Sequence, residues 1–281
     1  MNISIRRARD DDVDFLLDLV LHGDVEPFLG AVSAKDRDAV AAEVGRSSAE
    51  AHDFGRFVIE VNGVRAGAMG FELANRRSRI AHLERLAVHP SFRGRRVADE
   101  AARVFQLHLA RDLGYHRLQL EIYGFNERAI AHAERSGFVR EGVRRRAYWR
   151  HGEWADGVLF GLVSEELDLS ANVGLLHDYV QAHNEAVRVG RWDRFGEWFA
   201  EDAELAFAGL PVEPFRGRPA IEEAYRTQPP DDEVITFEVR EADDAVLADY
   251  GWGREPSVVA GALLLQSSDG RTISRLVVSG S

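Results

Sequence analysis

A short run rich in arginine separates a strand pattern from a helix pattern at residues 93–96. Gly94 lets other groups approach the backbone closely, and the helical pattern begins directly afterwards, at Val97. The free N–H groups of a helix's first turn and the helix dipole together attract anions. The loop therefore predicts a site for a diphosphate, with a solvated basic surface as the alternative.

The segments around this loop alternate between the periodicities of strands and helices. An Asn62-Gly63 pair between two strand patterns suits a two-residue hairpin turn. Strands are predicted at about 3–8, 57–61, 64–73, 80–88, 118–123, 138–149 and 154–163, and helices at about 10–20, 34–50, 93–113 and 127–135. This order predicts an α/β unit that ends near residue 163.

Two further motifs lie downstream, GFNERAI at 124–130 and GFVREG at 137–142. Together with the arginine-rich loop and the order of elements, they resemble the Rim-type branch of the GNAT superfamily of N-acetyltransferases. The resemblance covers Ile3 to about Val163. It implies a mixed sheet flanked by helices, with acetyl-CoA as the cosubstrate.

The resemblance also implies which residues bind the cofactor. Backbone groups near 86–88 would face the thioester, the loop would hold the diphosphate, and Asn126 would frame a helix start. An arginine stands at 96, where the family pattern has a glycine. The predicted cofactor-binding residues are Leu86, Ala87, Val88, Arg93, Gly94, Arg95, Arg96, Val97, Ala98, Asn126 and Arg128.

Acetyl transfer needs a group that takes a proton from the amine. Strand alternation puts His82, Glu84 and Leu86 on one face. Because related enzymes have a glutamate at the place of Glu84, we predict Glu84 as the base and His82 as its reserve. The alternative is that Glu84 merely pairs with a neighbouring arginine.

The group that protonates the leaving thiolate of CoA is less well defined by the sequence. Family members often carry a tyrosine four residues before the second Gly-Phe pair, and this chain has Ala133 there. Tyr123 or Tyr148 could substitute, although each is also a plausible packing aromatic.

The second half of the chain has motifs of another kind. A Gly-x-x-Asp helix turn, Phe-x-x-Asp-Ala, and Phe-Arg-Gly-x-x-Ala-Ile resemble SnoaL-like members of the nuclear transport factor 2-like superfamily over 172–281. The resemblance implies an α+β cone with a curved antiparallel sheet. The base site of related isomerases falls on Phe207 and their tyrosine site on His183, so isomerase chemistry is not expected. Tyr179, His183 and Phe207 are the candidates for a ligand pocket; a dimerisation surface and a lid are the alternative roles.

Charge and length bound the remaining possibilities. The polar segment 164–174 predicts two domains, at 1–168 and 172–281, and helices are expected at 173–189, 191–199 and 221–225.

The net charge is −12, with 10 basic and 20 acidic residues after residue 170, which disfavours nucleic acid and anionic membranes as partners. No apolar run is long enough for a membrane helix and no secretory signal is recognisable, so we expect a cytoplasmic protein. Without cysteine and without metal-ligand histidine spacing, no metal site is expected.

The sequence thus predicts a two-domain N-acetyltransferase that acts on a primary amine of a small molecule or a protein N-terminus. A homodimer through the second domain is a further possibility. The main alternative is a degenerate transferase that only binds CoA or a small molecule, as Arg96 and Ala133 could suggest. Hydratase or cyclase chemistry in the second domain is disfavoured by Phe207.

Overall fold

The computed structural model of the chain describes residues 1–30, 36–167, 169–242 and 244–280. The chain divides into two compact units. The first comprises Met1–Ala110 and Tyr115–Leu167, and the second comprises Arg111–Gly114 and Asp168–Ser281. The predicted boundary residue 168 lies outside the described residues.

A seven-stranded sheet forms the centre of the first unit, in the order β1-β2-β3-β4-β5-β7-β6. All neighbouring strands are antiparallel except β4 and β5, which are parallel. The sheet is therefore mixed, as expected. The strands are β1 (Ile3–Arg7), β2 (Phe54–Val61), β3 (Val64–Asn75), β4 (Ile80–Val88), β5 (Arg117–Tyr123), β6 (Val139–Arg150) and β7 (Glu153–Val163).

Helices cover this sheet and pack against apolar side chains of its strands. Val58 of β2 packs with Val13 and Leu16 of the first helix and with Val40 and Val44 of the second. Since side chains alternate along a strand, the adjacent Phe57 points to the opposite face, where it meets Phe105 of the third helix. The helices are α1 (Val13–Leu21), α2 (Arg37–Ala49), α3 (Val97–Leu107) and α4 (Glu127–Arg135).

Most predicted elements of this unit are present, with two differences. The helix expected at 93–113 begins only at Val97, because Arg96 has a positive φ of 57°, and it continues into a π-helical turn at His108–Asp112. The helix expected at 34–50 is α2, and residues 34 and 35 lie outside the described residues. Asn62 and Gly63 both have positive φ, as the predicted hairpin turn requires.

The second unit contains a six-stranded sheet in the order β10-β11-β12-β13-β8-β9. The sheet was expected to be antiparallel, but β13 and β8 pair in parallel, because the last strand returns to lie beside the first long one. The elements are α5 (Ala171–Val189), β8 (Phe199–Ala208), β9 (Phe215–Arg216), α6 (Arg218–Thr227), β10 (Val234–Ala242), β11 (Ala245–Trp252), β12 (Gly261–Gln266) and β13 (Ile273–Gly280).

Helix prediction in the second unit was right for α5, too short for α6, which was expected only at 221–225, and too long at 191–199. Ser170 caps α5 by accepting a hydrogen bond from the Val173 N–H at 3.3 Å. The helix expected at 191–199 is only a short 3-10 turn at Phe195–Trp198, which leads directly into β8. Among the described residues, no helix has both the length and the apolarity needed to cross a membrane.

Candidate functional site

The parallel strands β4 and β5 separate soon after they start. Within the described chain they pair only where Ile80–His82 lie beside 117–119. Beyond this point β4 stays with β3 as far as Val88, and β5 stays with β7 as far as Tyr123. A cleft of about 1290 Å³ opens between the two strands, and side chains from both line it.

A bulge in β4 sets which side chains point together. Glu84 lies opposite Gly70 and Ala87 lies opposite Ala68, so β4 has one residue more than β3 between these two rungs. Arg85, at the bulge, has a positive φ of 60°. The expected alternation of His82, Glu84 and Leu86 on one face is therefore wrong at its last member, because the bulge puts Ala87 in phase with Glu84.

The arginine-rich loop lies at the N-terminus of α3, against the cleft. Gly94 has φ +75°, and a Cβ at this position would meet no atom within 4 Å. Arg93 fixes the loop to the end of β4, because its Nε donates to the Val88 carbonyl at 3.2 Å. Arg96 takes the left-handed conformation that glycine adopts without strain, which gives a physical reason for a glycine at this place.

The second motif forms the start of α4 on the other side of the cleft. The Asn126 side chain accepts a hydrogen bond from the Ala129 N–H at 3.2 Å, so it caps the helix as the sequence predicts. His132 of α4 contacts Asp99 of α3 at 2.9 Å and ties the two helices together. Arg128 lines the cleft beside Asn126.

Glu84 lines the cleft and is ion-paired. Its Oε1 lies 2.7 Å from Nη2 of Arg56, a buried arginine on β2. The arginine partner weighed as the alternative to a catalytic role is thus present. An ion pair also holds a carboxylate in one orientation, so the contact is compatible with either role. His82 lines the same cleft.

Sequence reasoning missed Glu121 on β5. Glu84 and Glu121 each lie two residues beyond the last pair of β4 and β5, His82 with Gln119, so strand alternation places these two carboxylates in phase on the two sides of the opening. Glu121 lines the cleft, and its Oε2 accepts from Arg144 at 3.1 Å. Only the pairing of β4 with β5 reveals this relation, because the two residues lie far apart in sequence.

Tyr123 and Tyr148 both line the cleft, with their rings 5.3 Å apart. Burial, and after it the neighbouring Glu121 carboxylate, raise the pKa of Tyr148. Its hydroxyl is protonated at neutral pH, and the raised pKa makes it a weaker acid than a free tyrosine. Ala133, at the family's tyrosine place, is buried.

The cleft brings together nearly all of the predicted residues of the first unit, while Arg95 is exposed and is not part of its lining. The predicted residues that line it are His82, Glu84, Leu86, Ala87, Val88, Arg93, Gly94, Arg96, Val97, Ala98, Asn126 and Arg128.

The residues suggested for a pocket in the second unit belong to its core. Tyr179 and His183 are buried among aromatic rings, and the Tyr179 hydroxyl lies 2.6 Å from that of Tyr225. Phe207 packs against the same core, with its ring against Phe215. Burial lowers the pKa of His183 to about 4, so this side chain is neutral at physiological pH.

Comparison with known proteins connects this geometry to a family. Residues 19–138 match the model of the Acetyltransferase (GNAT) family. The chain is 32% identical over 85 residues to YokL, an uncharacterized N-acetyltransferase derived from the SPbeta prophage of Bacillus subtilis. The match covers 30% of this chain and 48% of YokL, so the chain spans about half the length of this curated relative.

Solved structures share the fold of the first unit. A spermidine N-acetyltransferase from Vibrio cholerae, in complex with CoA and spermine, aligns over 58% of this chain and 96% of its own, with 17% identity and a TM-score of 0.53. The alpha-N-protein acetyltransferase RimL, in complex with CoA, aligns over 58% and 94%, with 19% identity and a TM-score of 0.52. Over residues 19–138, the N-terminal unit is thus similar to the acetyltransferase (GNAT) family, whose cosubstrate is acetyl-CoA.

Proposed function

We propose that the protein transfers the acetyl group of acetyl-CoA to a primary amine of a small molecule or a protein N-terminus. The observation that carries this proposal is the cleft between β4 and β5. It joins a helix N-terminus suited to a diphosphate with a pair of carboxylates suited to an amine.

The residues at the helix end of the cleft fit the diphosphate of CoA. Gly94 leaves open space beside the loop, and α3 directs its free N–H groups toward it. Among the described residues, Arg96 and Arg128 line the cleft without an ion-pair partner, so their charges remain available to an anion. When bound, acetyl-CoA would supply the acetyl thioester.

The carboxylates at the opening would handle the proton of the amine. Glu84 is our proposed proton acceptor, with His82 as its reserve, and Glu121 is the second carboxylate within the same opening. Because Ala133 replaces the family's usual tyrosine, the Tyr148 hydroxyl would donate the proton to the leaving thiolate of CoA.

Charge matching at the acceptor end favours an amine with a single positive charge. Glu72 pairs with Arg46 at 3.0 Å, Glu84 with Arg56 at 2.7 Å, and Glu121 with Arg144 at 3.1 Å. An acceptor with several charges would have to compete with these arginines for carboxylates. We therefore expect a peptide N-terminus or a small monoamine to be a better acceptor than a polyamine.

The second unit is proposed to be a SnoaL-like module over 172–281 that binds a ligand or pairs two chains into a homodimer. The motifs quoted above and the six-stranded sheet with α5 and α6 support this assignment. For the whole chain we propose a cytoplasmic location.

Calorimetry and an activity screen test the proposed function. We expect acetyl-CoA to bind, and one of a panel of peptides, aminoglycosides and polyamines to be acetylated. Absence of binding at millimolar acetyl-CoA would contradict the proposal. Binding without transfer to any amine would instead favour a degenerate CoA-binding protein, which the buried Ala133 and the strained Arg96 would explain.

A further inference from the structure

Three neighbouring strands carry one polar rung beneath α2. Arg56 on β2 lies opposite Gly70 on β3, and Gly70 lies opposite Glu84 on β4. Residues directly opposite on antiparallel strands face the same side of the sheet. Arg56 and Glu84 therefore point the same way, with a position that lacks a side chain between them.

That missing side chain is what lets the two charges meet. A Cβ at Gly70 would lie 2.5 Å from Nη1 of Arg56 and 2.7 Å from the Gly55 carbonyl oxygen. The guanidinium thus occupies the space above Gly70 and reaches Glu84, with Nη2 2.7 Å from Oε1. An alanine at 70 would have to displace this guanidinium and shift the Gly55 carbonyl.

Arg56 is fixed from several directions. It is only 7% exposed, its Nε donates to Glu43 Oε2 at 3.1 Å, and its guanidinium lies 4.2 Å from the centre of the Phe54 ring. Nη1 also donates to the Gly55 carbonyl at 3.2 Å. A long side chain with this many partners has little freedom, so the atom that meets Glu84 is held in place.

Glu43 and Arg85 complete the network. Glu43, on α2, is ion-paired with both Arg56 and Arg85, and Arg85 is the residue at the β4 bulge. Burial would raise the pKa of Glu43, but the hydrogen bonds and charges of Arg85 and Arg56 outweigh it and hold the pKa below its usual range. The negative charges of Glu43 and Glu84 thus balance the positive charges of Arg56 and Arg85. Removing one of these four residues alone leaves an uncompensated charge.

We propose that Arg56 is a positioning residue that holds the Glu84 carboxylate at the opening between β4 and β5, and that Gly70 admits it. This inference rests on the proposed function. With Oε1 occupied by Arg56, Oε2 lies 3.9 Å from Arg85 Nε, outside hydrogen-bond range. That second oxygen can accept a hydrogen bond from another donor in the cleft, such as an amine or a water that relays its proton.

The test compares two ways of removing this contact in the full chain. Gly70→Ala displaces the guanidinium and shifts the Gly55 carbonyl without changing any charge, whereas Arg56→Gln combined with Glu43→Gln leaves the backbone as it is and removes one charge of each sign. For both we expect kcat to fall about 10- to 100-fold, as misplacing a reacting group by about 1 Å does, with KM for acetyl-CoA within twofold of the parent. Arg56→Lys keeps the charge and should recover part of the loss.

Val58→Ala is the matched control for lost stability. Val58 is a fully buried residue of β2 on the same face, and it makes no contact with the cleft. This variant should lower the melting temperature and leave kcat unchanged. A fall in kcat for Val58→Ala as large as that for Gly70→Ala would reduce Arg56 to a structural role and overturn the inference.

The outcomes also separate this inference from the proposed function. If Glu84→Gln lowers turnover while Gly70→Ala and the double variant keep the parent kcat, the positioning role is wrong and the transferase assignment stands. A parent chain that acetylates no amine overturns the proposed function, and the inference with it.

Discussion

The two units use their buried polar and aromatic side chains in different ways. In the first unit, charged groups line an open cleft and are paired across strands, as with Arg56 and Glu84. In the second, the corresponding interior consists of packed rings, with Trp192 stacked on Tyr225 at 5.2 Å and His183 edge-on to Trp192. The first arrangement can receive a polar ligand, whereas the second stabilises the unit through burial.

A motif alone therefore does not separate a functional site from a packed core. The sequence offered candidate site residues in both units, including His82 and Glu84 in the first and Tyr179 and His183 in the second. In the first unit, strand separation exposes these groups to a cleft. In the second, Tyr179 and His183 contact aromatic neighbours instead. We therefore expect substitutions in the first unit to change turnover or affinity, and substitutions in the second to change stability.

Glu84→Gln is expected to have the largest effect. The change preserves shape while removing the charged proton acceptor, so kcat should fall about 10²- to 10⁴-fold with acetyl-CoA affinity preserved. Steady-state kinetics with a genuine acceptor, together with calorimetry, will measure both quantities. Glu121→Gln is the matched comparison across the opening. If it alone abolished turnover while Glu84→Gln stayed within threefold of the parent, the base would have to be assigned to β5.

His183 provides the corresponding test of the second unit. Its pKa is about 4 in the folded chain and about 6.5 when unfolded, so the unfolded state binds more protons between these values. Stability should therefore fall as the pH is lowered from about 6.5 to 4, by about 3 kcal/mol from this group alone.

Urea unfolding across this pH range, followed by tryptophan fluorescence, will measure the loss. His183→Leu should flatten the pH dependence, and His116→Gln, at a histidine 42% exposed in the first unit, is the comparison variant. An equal slope in the parent and in His183→Leu would show that the aromatic core tolerates the protonated ring, and the contrast between the units would weaken.

Gly94→Glu tests the anion site at α3. A carboxylate beside the loop should weaken acetyl-CoA binding, and Gly94→Gln introduces the same backbone strain without the charge. We expect the glutamate variant to bind roughly 10-fold more weakly than the glutamine variant at low salt, with the gap narrowing as salt increases. Equal affinities in calorimetry would place the diphosphate elsewhere.

Arg96→Gly has the smallest expected effect. Glycine relieves the left-handed strain at this position but also gains freedom in the unfolded chain, so the unfolding free energy should rise by less than about 1 kcal/mol. Arg96→Ala keeps the strain and removes the charge. If both variants lose the same acetyl-CoA affinity, the cation contributes to binding; if neither does, Arg96 is a replaced glycine and nothing more.

Local features of this molecule were predictable from the sequence. The Asn62-Gly63 turn, the Asn126 cap and the strand Ile80–Val88 all depend on residues within a few positions of one another. Turn geometry, capping and periodicity are set by such short-range interactions. The arginine-rich loop at the start of α3 is also a local feature, since an anion site at a helix start needs only the loop and the helix.

Relations between distant segments were decided by the tertiary structure. The bulge at Arg85, which turned Leu86 out of phase with Glu84, depends on how β4 pairs with β3. The contact between Arg56 and Glu84 depends on a glycine in the strand between them, and the opposition of Glu121 to Glu84 depends on where β4 and β5 part. Strand register and separation come from the packing of whole elements, so no local pattern contains them.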